Sequence, residues 1–136
     1  MPLFAVKKIM KIQPVTKNTK IAVLGFTYKP DVDDIRESPV LKIIALLKEE
    51  GYNVSVHDPF VAEGVYDNTS IEDCLKDADL MLLGVDHKVF KQTDLNYAYG
   101  LMRNKVILDT RNFLNLEKAK QIGFKCYLLG EGLIEG

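Results

Sequence analysis

An α/β fold, built on a doubly wound parallel sheet with helices on both faces and one extra helix in front, is what this sequence predicts. Three observations carry the prediction. Short aliphatic runs with little polar alternation recur along the chain, as strands covered on both faces read. Stretches of helical apolar spacing fill the gaps between them. Residues that cap helices stand at the starts of those stretches. Strand and helix in alternation imply a parallel sheet wound from both sides.

The strands are expected at Ile21–Gly25, Asn53–His57, Leu80–Val85 and Val106–Asp109, with a weaker fifth at Lys125–Leu129. Val40, Leu41, Ile43, Ile44 and Leu47 follow helical spacing, and Gly51 is a plausible stop. Ser38 can cap this helix, with Pro39 in the first position, where a missing N–H costs nothing. Ser70 with Asp73 resembles a capping box before a short stretch to Ala78, and Asn115 can cap a helix running to about Gly123. Ahead of the first strand, Leu3, Val6, Ile9 and Met10 make an amphipathic helical stripe, followed by the polar break Gln13–Lys20. This helix reads as an addition to the sheet unit.

The chain has 136 residues, enough for one domain, with 47% apolar and 27% charged residues. A net charge of −1 gives no basic field for nucleic acid or acidic lipid, so an anion site has to be a local cluster. No apolar run approaches the roughly 20 residues of a membrane span. MPLFAVKKIMKI lacks the apolar core and cleavage site of a secretory signal, so a cytoplasmic location is expected. Cys74 and Cys126 belong to no CxxC or Cys/His metal pattern and read as reduced, partly buried thiols. His57 and His87 each adjoin an aspartate, Asp58 and Asp86, but nothing completes a ligand set. Ordinary hydrogen bonding is expected of both, and no metal.

In an open parallel sheet, ligands bind beyond the carboxyl ends of the strands. The loop after the first strand, GFTYKPDVDDIRESP from Gly25 to Pro39, is long for such a connection, where about 2–6 residues is usual. It holds one glycine and no GxGxxG, and no GKS or GKT follows. It offers Lys29 and Arg36 near a capped helix start, a plausible phosphate site, and Tyr28, which can pack on a base or sugar. The alternative is a solvated charged loop with internal salt bridges, Arg36 pairing with Glu37, Asp33 or Asp34. A phosphoacceptor receiver domain fits poorly, because the acidic pair Asp33–Asp34 comes well after the first strand.

The segment Lys20–Pro59 resembles the C-terminal domain of the UDP-glucose/GDP-mannose dehydrogenase family. That family shows a strand, then G-x-x-[FY]-K-P, two aspartates and R-E-S-P. Here these are Gly25, Tyr28, Lys29, Pro30, Asp33, Asp34, Arg36, Glu37, Ser38 and Pro39. Asp58–Pro59 and the late stretch Val106–Asn112 also fit, so the resemblance covers nearly the whole chain. It implies a Rossmann-like domain that holds the UDP end of a UDP-sugar. By resemblance, Tyr28, Lys29 and Arg111 contact the substrate, and Arg36 reaches toward NAD held mainly by a separate N-terminal domain. A surface arginine after the fourth strand is the alternative for Arg111.

The resemblance also implies two successive oxidations at the sugar C6, with NAD accepting the hydrides and a cysteine outside this chain capturing the aldehyde. No catalytic residue is assigned here, and the chain alone is expected to be inactive. Residues 1–15 would end the helix that links to a central domain, and 16–136 would form the UDP-sugar-binding domain of a homo-oligomeric enzyme. The pieces HDPF, VDHKVF and DTRN resemble the branch acting on UDP-N-acetylhexosamines, with UDP-N-acetyl-D-mannosamine the first expected substrate. UDP-N-acetylglucosamine and UDP-glucose follow. A free-standing nucleotide-binding regulatory module is the reading from another class.

Overall fold

The computed structural model describes residues 2–16, 18–27, 31, 35, 38–111 and 113–128. Five parallel strands, β1 (Lys20–Leu24), β2 (Asn53–His57), β3 (Leu80–Leu83), β4 (Val106–Asp109) and β5 (Lys125–Leu128), form one sheet. They stand in the order β2-β1-β3-β4-β5. All five expected strands form. The sheet stays in register because successive side chains feed opposite cores: Ile21 and Val23 join one apolar cluster, Ala22 and Leu24 the other. Leu80 and Leu82 likewise part from Met81 and Leu83.

Helices cover both faces, as expected. On one side lie α1 (Pro2–Ile12) and α2 (Pro39–Glu49), and on the other α3 (Ile71–Leu75), α4 (Leu95–Leu101) and α5 (Leu116–Ile122). The expected caps are made. Ser38 accepts from Val40 N at 3.3 Å, Ser70 from Asp73 N at 3.1 Å and Asn115 from Lys118 N at 3.1 Å. α3 ends at Leu75, shorter than the stretch to Ala78 that the sequence suggests. α4 was not foreseen. Its N-cap, Asp94, accepts from Asn96 N and Tyr97 N, and it buries Leu95 and Ala98.

The leading helix differs from its expected stripe. Ala5, Val6 and Ile9 are buried in the apolar cluster that α1 shares with α2, whereas Leu3 and Met10 are 56% and 36% exposed. At 3.6 residues per turn Met10 lies about 100° round the helix from Ile9 and Leu3 about 120° round in the same direction, so the two share an exposed face and not the contact of Ile9. α1 thus fills the place on this face beside α2 and belongs to the same core as Leu47, Tyr52 and Tyr127.

The chain reverses direction across the sheet between β1 and β3, which makes their carboxyl ends the switch point. Two glycines let the backbone close up there. Gly25 takes φ 87°, and a Cβ on Gly84 would stand 2.6 Å from the Gly25 carbonyl oxygen and 3.0 Å from Val40 Cγ1. Gly84→Ala is therefore expected to lower stability by about 1–3 kcal/mol, the cost of forcing atoms into a filled space. Gly100, in α4, has open space around its Cβ position. Gly100→Ala is the control and should be neutral or stabilising, since alanine is the better helix former. Urea midpoints of the two variants check the contrast.

Candidate functional site

The carboxyl edge of the sheet is lined, from one side to the other, by the residues following β2, β1, β3 and β4. Strand order alone decides which of them meet. Asp58 follows β2 and His87 follows β3, on either side of the β1 end, and the two side chains close over it. Asp58 is 1% exposed and His87 is fully buried. His87 Nε2 lies 2.9 Å from Asp58 Oδ2 and 3.2 Å from Thr27 Oγ1. The same Oδ2 accepts from Phe26 N at 2.9 Å, and Oδ1 accepts from Phe60 N at 2.9 Å. On the other side of the ring, Asp31 N donates to His87 Nδ1 at 2.7 Å. The rings of Phe60 and Phe90 lie 4.6 and 5.3 Å from the imidazole.

The chemistry fixes the proton. A backbone N–H can only donate, so Nδ1 presents its lone pair to Asp31 and the hydrogen sits on Nε2, facing the Asp58 carboxylate. Burial pushes the Asp58 carboxyl up, but the hydrogen bonds from His87 and from the Phe60 and Phe26 amides outweigh it and hold it below the ordinary carboxylate value. His57 is wired the other way: its Nδ1 lies 2.7 Å from the Thr69 carbonyl and must donate to it. Each histidine makes ordinary hydrogen bonds. His87, however, pairs across the sheet with Asp58 and not with its neighbour Asp86. No three His, Cys, Asp or Glu side chains gather as a metal site among the described residues.

On the far side of β3, Asp109 ends β4 fully buried. It turns its carboxylate back on the following turn: Oδ1 accepts from Arg111 N, and Oδ2 from Phe113 N and Leu114 N, all at 2.8 Å. Thr110 Oγ1 donates to Leu83 O at 2.7 Å, which ties the turn to β3. This scaffold leaves the Arg111 side chain half exposed at the carboxyl edge. Its Nε lies 3.4 Å from Asp86 Oδ1, at the long limit for a hydrogen bond.

Of the residues singled out in the sequence, Arg111 thus stands at the edge where ligands bind such sheets. Tyr28, Lys29 and Arg36 lie outside the described residues, as do Asp33 and Asp34. Sequence reasoning missed the Asp58–His87 pair and the turn-building role of Asp109. The signal for the pair was their place after two strands that flank a third, which becomes legible only with the strand order.

Other groups are committed elsewhere. Burial pushes the thiols of Cys74 and Cys126 up to about 11 each, so both stay protonated and poorly nucleophilic near neutral pH. At the amino end of the sheet, a depression of about 320 Å³ is bordered by Asp79, Arg103 and Asn104. Its polar groups satisfy one another: Arg103 Nε and Asn104 Nδ2 donate to Asp79 Oδ1 at 2.8 and 2.7 Å. It lies at the end opposite the switch point and has the makings of a structural brace. No helix among the described residues is long and apolar enough to cross a membrane.

An open parallel sheet of this order, with helices on both faces, defines a doubly wound, Rossmann-like α/β domain. The chain belongs to the UDP-glucose/GDP-mannose dehydrogenase family: residues 22–116 match the model of that family's UDP binding domain. It is 40% identical over 136 residues to the UDP-N-acetyl-D-mannosamine dehydrogenase of Methanocaldococcus jannaschii, an alignment covering 97% of this chain and 31% of that protein. The UDP-glucose 6-dehydrogenase of Rickettsia prowazekii is 33% identical over 124 residues, covering 84% of this chain and 28% of its own length. A solved structure of a UDP-N-acetyl-mannosamine dehydrogenase from Staphylococcus aureus superposes with a TM-score of 0.75 at 34% identity, over 96% of this chain and 31% of that one. The chain therefore spans under a third of these relatives' length.

Proposed function

We propose that this chain is the domain that holds the UDP moiety in an NAD-dependent UDP-sugar 6-dehydrogenase, with UDP-N-acetyl-D-mannosamine the substrate of first choice. UDP-glucose and UDP-N-acetylglucosamine are the alternatives within the same reading, and the similarity to UDP-glucose 6-dehydrogenases supports the first of them. The observation that carries the proposal is the Arg111 side chain, half exposed on a turn built by buried Asp109, at the carboxyl edge of a sheet matched to a UDP binding domain. A guanidinium binds phosphate oxygens bidentately and suits a diphosphate. In the proposed site Lys29 supplies the second cation and Tyr28 packs on the uridine. The ends of β1 and β4 are separated by one strand, so about 10 Å lies between them, a gap one nucleotide diphosphate can bridge. Grip on the UDP end is remote binding energy, used to orient the reacting sugar carbon.

NAD in this reading supplies hydride acceptance and is held mainly by another domain, with Arg36 reaching toward it. The residues described here do not make a dinucleotide site of their own. The acidic side chain after β2, which in a dinucleotide fold meets a ribose hydroxyl, is here buried Asp58, engaged by two backbone amides and His87. The proposal further takes α1 as the end of a helix from a central domain, places the full-length enzyme in the cytoplasm as a homo-oligomer, and leaves this chain inactive alone.

Titration calorimetry with UDP tests it. The chain is expected to bind UDP weakly. Lys29→Ala and Arg111→Ala should each weaken binding about tenfold or more, the loss expected when a charged hydrogen-bonding partner is removed. Equal binding by the double variant would remove the proposed site. Incubation with NAD and a UDP-sugar should yield no NADH.

A further inference from the structure

We infer that His87 is a positioning residue: its neutral imidazole holds Thr27 and Asp31, the two residues that flank positions 28–30. The inference rests on the nucleotide reading in one respect, that Tyr28 and Lys29 lie between the clamped residues. The clamp itself stands on geometry alone. Thr27 and Asp31 are the residues on either side of that segment, and one ring engages both. Thr27 Oγ1, 3.2 Å from Nε2, is the longer of two acceptors sharing the one Nε2 hydrogen with Asp58 Oδ2 at 2.9 Å, and the Asp31 amide points at Nδ1 from 2.7 Å.

The ring cannot turn to other partners. It is fully buried, with Phe60 and Phe90 packed against it, and Asp58 Oδ2 fixes the Nε2 edge at 2.9 Å. Asp58 is itself held by the Phe26 and Phe60 amides, so the clamp has a rigid base. The loop answers with a second bond: Asp31 Oδ1 accepts from Lys88 N at 2.8 Å, locking Asp31 to the segment after β3. Asp31 adopts φ 61°, a left-handed conformation that aspartate takes more readily than most residues and that its bonds to His87 and Lys88 hold here. Thr27 O also accepts from Ser38 Oγ at 3.3 Å, so the loop's first anchor is joined to the start of α2. A histidine is the residue for this place because it alone puts a donor and an acceptor on opposite edges of one rigid ring.

The test separates the clamp from the nucleotide reading. Long-range proton–nitrogen NMR of the 136-residue chain should show His87 with the proton on Nε2. His57, which donates through Nδ1, supplies the opposite pattern in the same spectrum. Two variants split the ring's roles. His87→Asn keeps an acceptor near the Nδ1 position, and His87→Gln keeps a donor near Nε2. Amide exchange at Asp31 should stay slow in His87→Asn and rise about tenfold or more in His87→Gln, as a lost hydrogen bond requires. UDP binding should follow the same split, near that of the unaltered chain for Asn and about tenfold weaker for Gln.

A proton on Nδ1 of the unaltered chain overturns the clamp, as does His87→Gln with unchanged Asp31 exchange. Slow Asp31 exchange with the expected tautomer, but no UDP binding by the unaltered chain, upholds the clamp and sinks the nucleotide reading. If either variant fails to fold, the ring spectrum of the unaltered chain decides.

Discussion

Asp58→Asn is expected to cost the fold about 3 kcal/mol, although the two side chains have nearly the same shape. Both carboxylate oxygens accept from backbone amides, Oδ2 from Phe26 and Oδ1 from Phe60, and Oδ2 also accepts from His87. An asparagine must turn its NH2 group toward one of those amides, setting donor against donor in a site that water does not reach. For a chain of this size the melting temperature should fall by about 10 °C. The acid limb of the stability curve gives a second readout. The Asp58 carboxyl titrates below its ordinary value in the folded chain, so its contribution is complete above the unfolded value, about 3.9, and fades as pH falls through the lower folded value. The variant lacks that contribution throughout, so its loss relative to the unaltered chain should shrink as pH falls below 4. A constant difference down to acid unfolding would show that the ionised carboxylate is not what holds the β1 and β2 ends together.

How far such features are legible in sequence depends on what they need. The central strands were legible because burial on both faces leaves a short aliphatic run: Leu80–Leu83 is buried at every position. The caps at Ser38, Ser70 and Asn115 were legible because a cap acts within three residues of itself. α4 was missed because LNYAYGL carries two tyrosines and a glycine in seven residues, and only Leu95 and Ala98 of it are buried. In α1 the burial of Ala5 in place of Leu3 turns on where the helix meets α2, a tertiary fact. The Asp58–His87 bond joins residues 29 apart whose meeting depends on β1 lying between β2 and β3. Arg111 was legible as a candidate by resemblance. That a buried aspartate two residues before it builds its turn was not, because an aspartate at a strand end can face solvent or turn back on the next turn, and the sequence does not show which.

That last ambiguity yields the second large effect. Asp109→Asn is expected to lose about 2–4 kcal/mol of stability and to weaken UDP binding at the same time. Asp109 is fully buried and takes three amide hydrogens, from Arg111, Phe113 and Leu114, on its two oxygens. Whichever way the amide of an asparagine is turned, at least one of these N–H groups meets another donor, and the turn that presents Arg111 opens. Arg111→Ala should behave differently. Its side chain is half exposed and its contact with Asp86 is long, so its removal should shift stability by less than about 0.5 kcal/mol, as for most surface changes. Its cost should fall on UDP alone. Paired melting curves and UDP titrations of the two variants separate a residue that builds the site from one that touches the ligand. If Asp109→Asn melts early yet binds UDP as the unaltered chain does, Arg111 does not depend on that turn for its position.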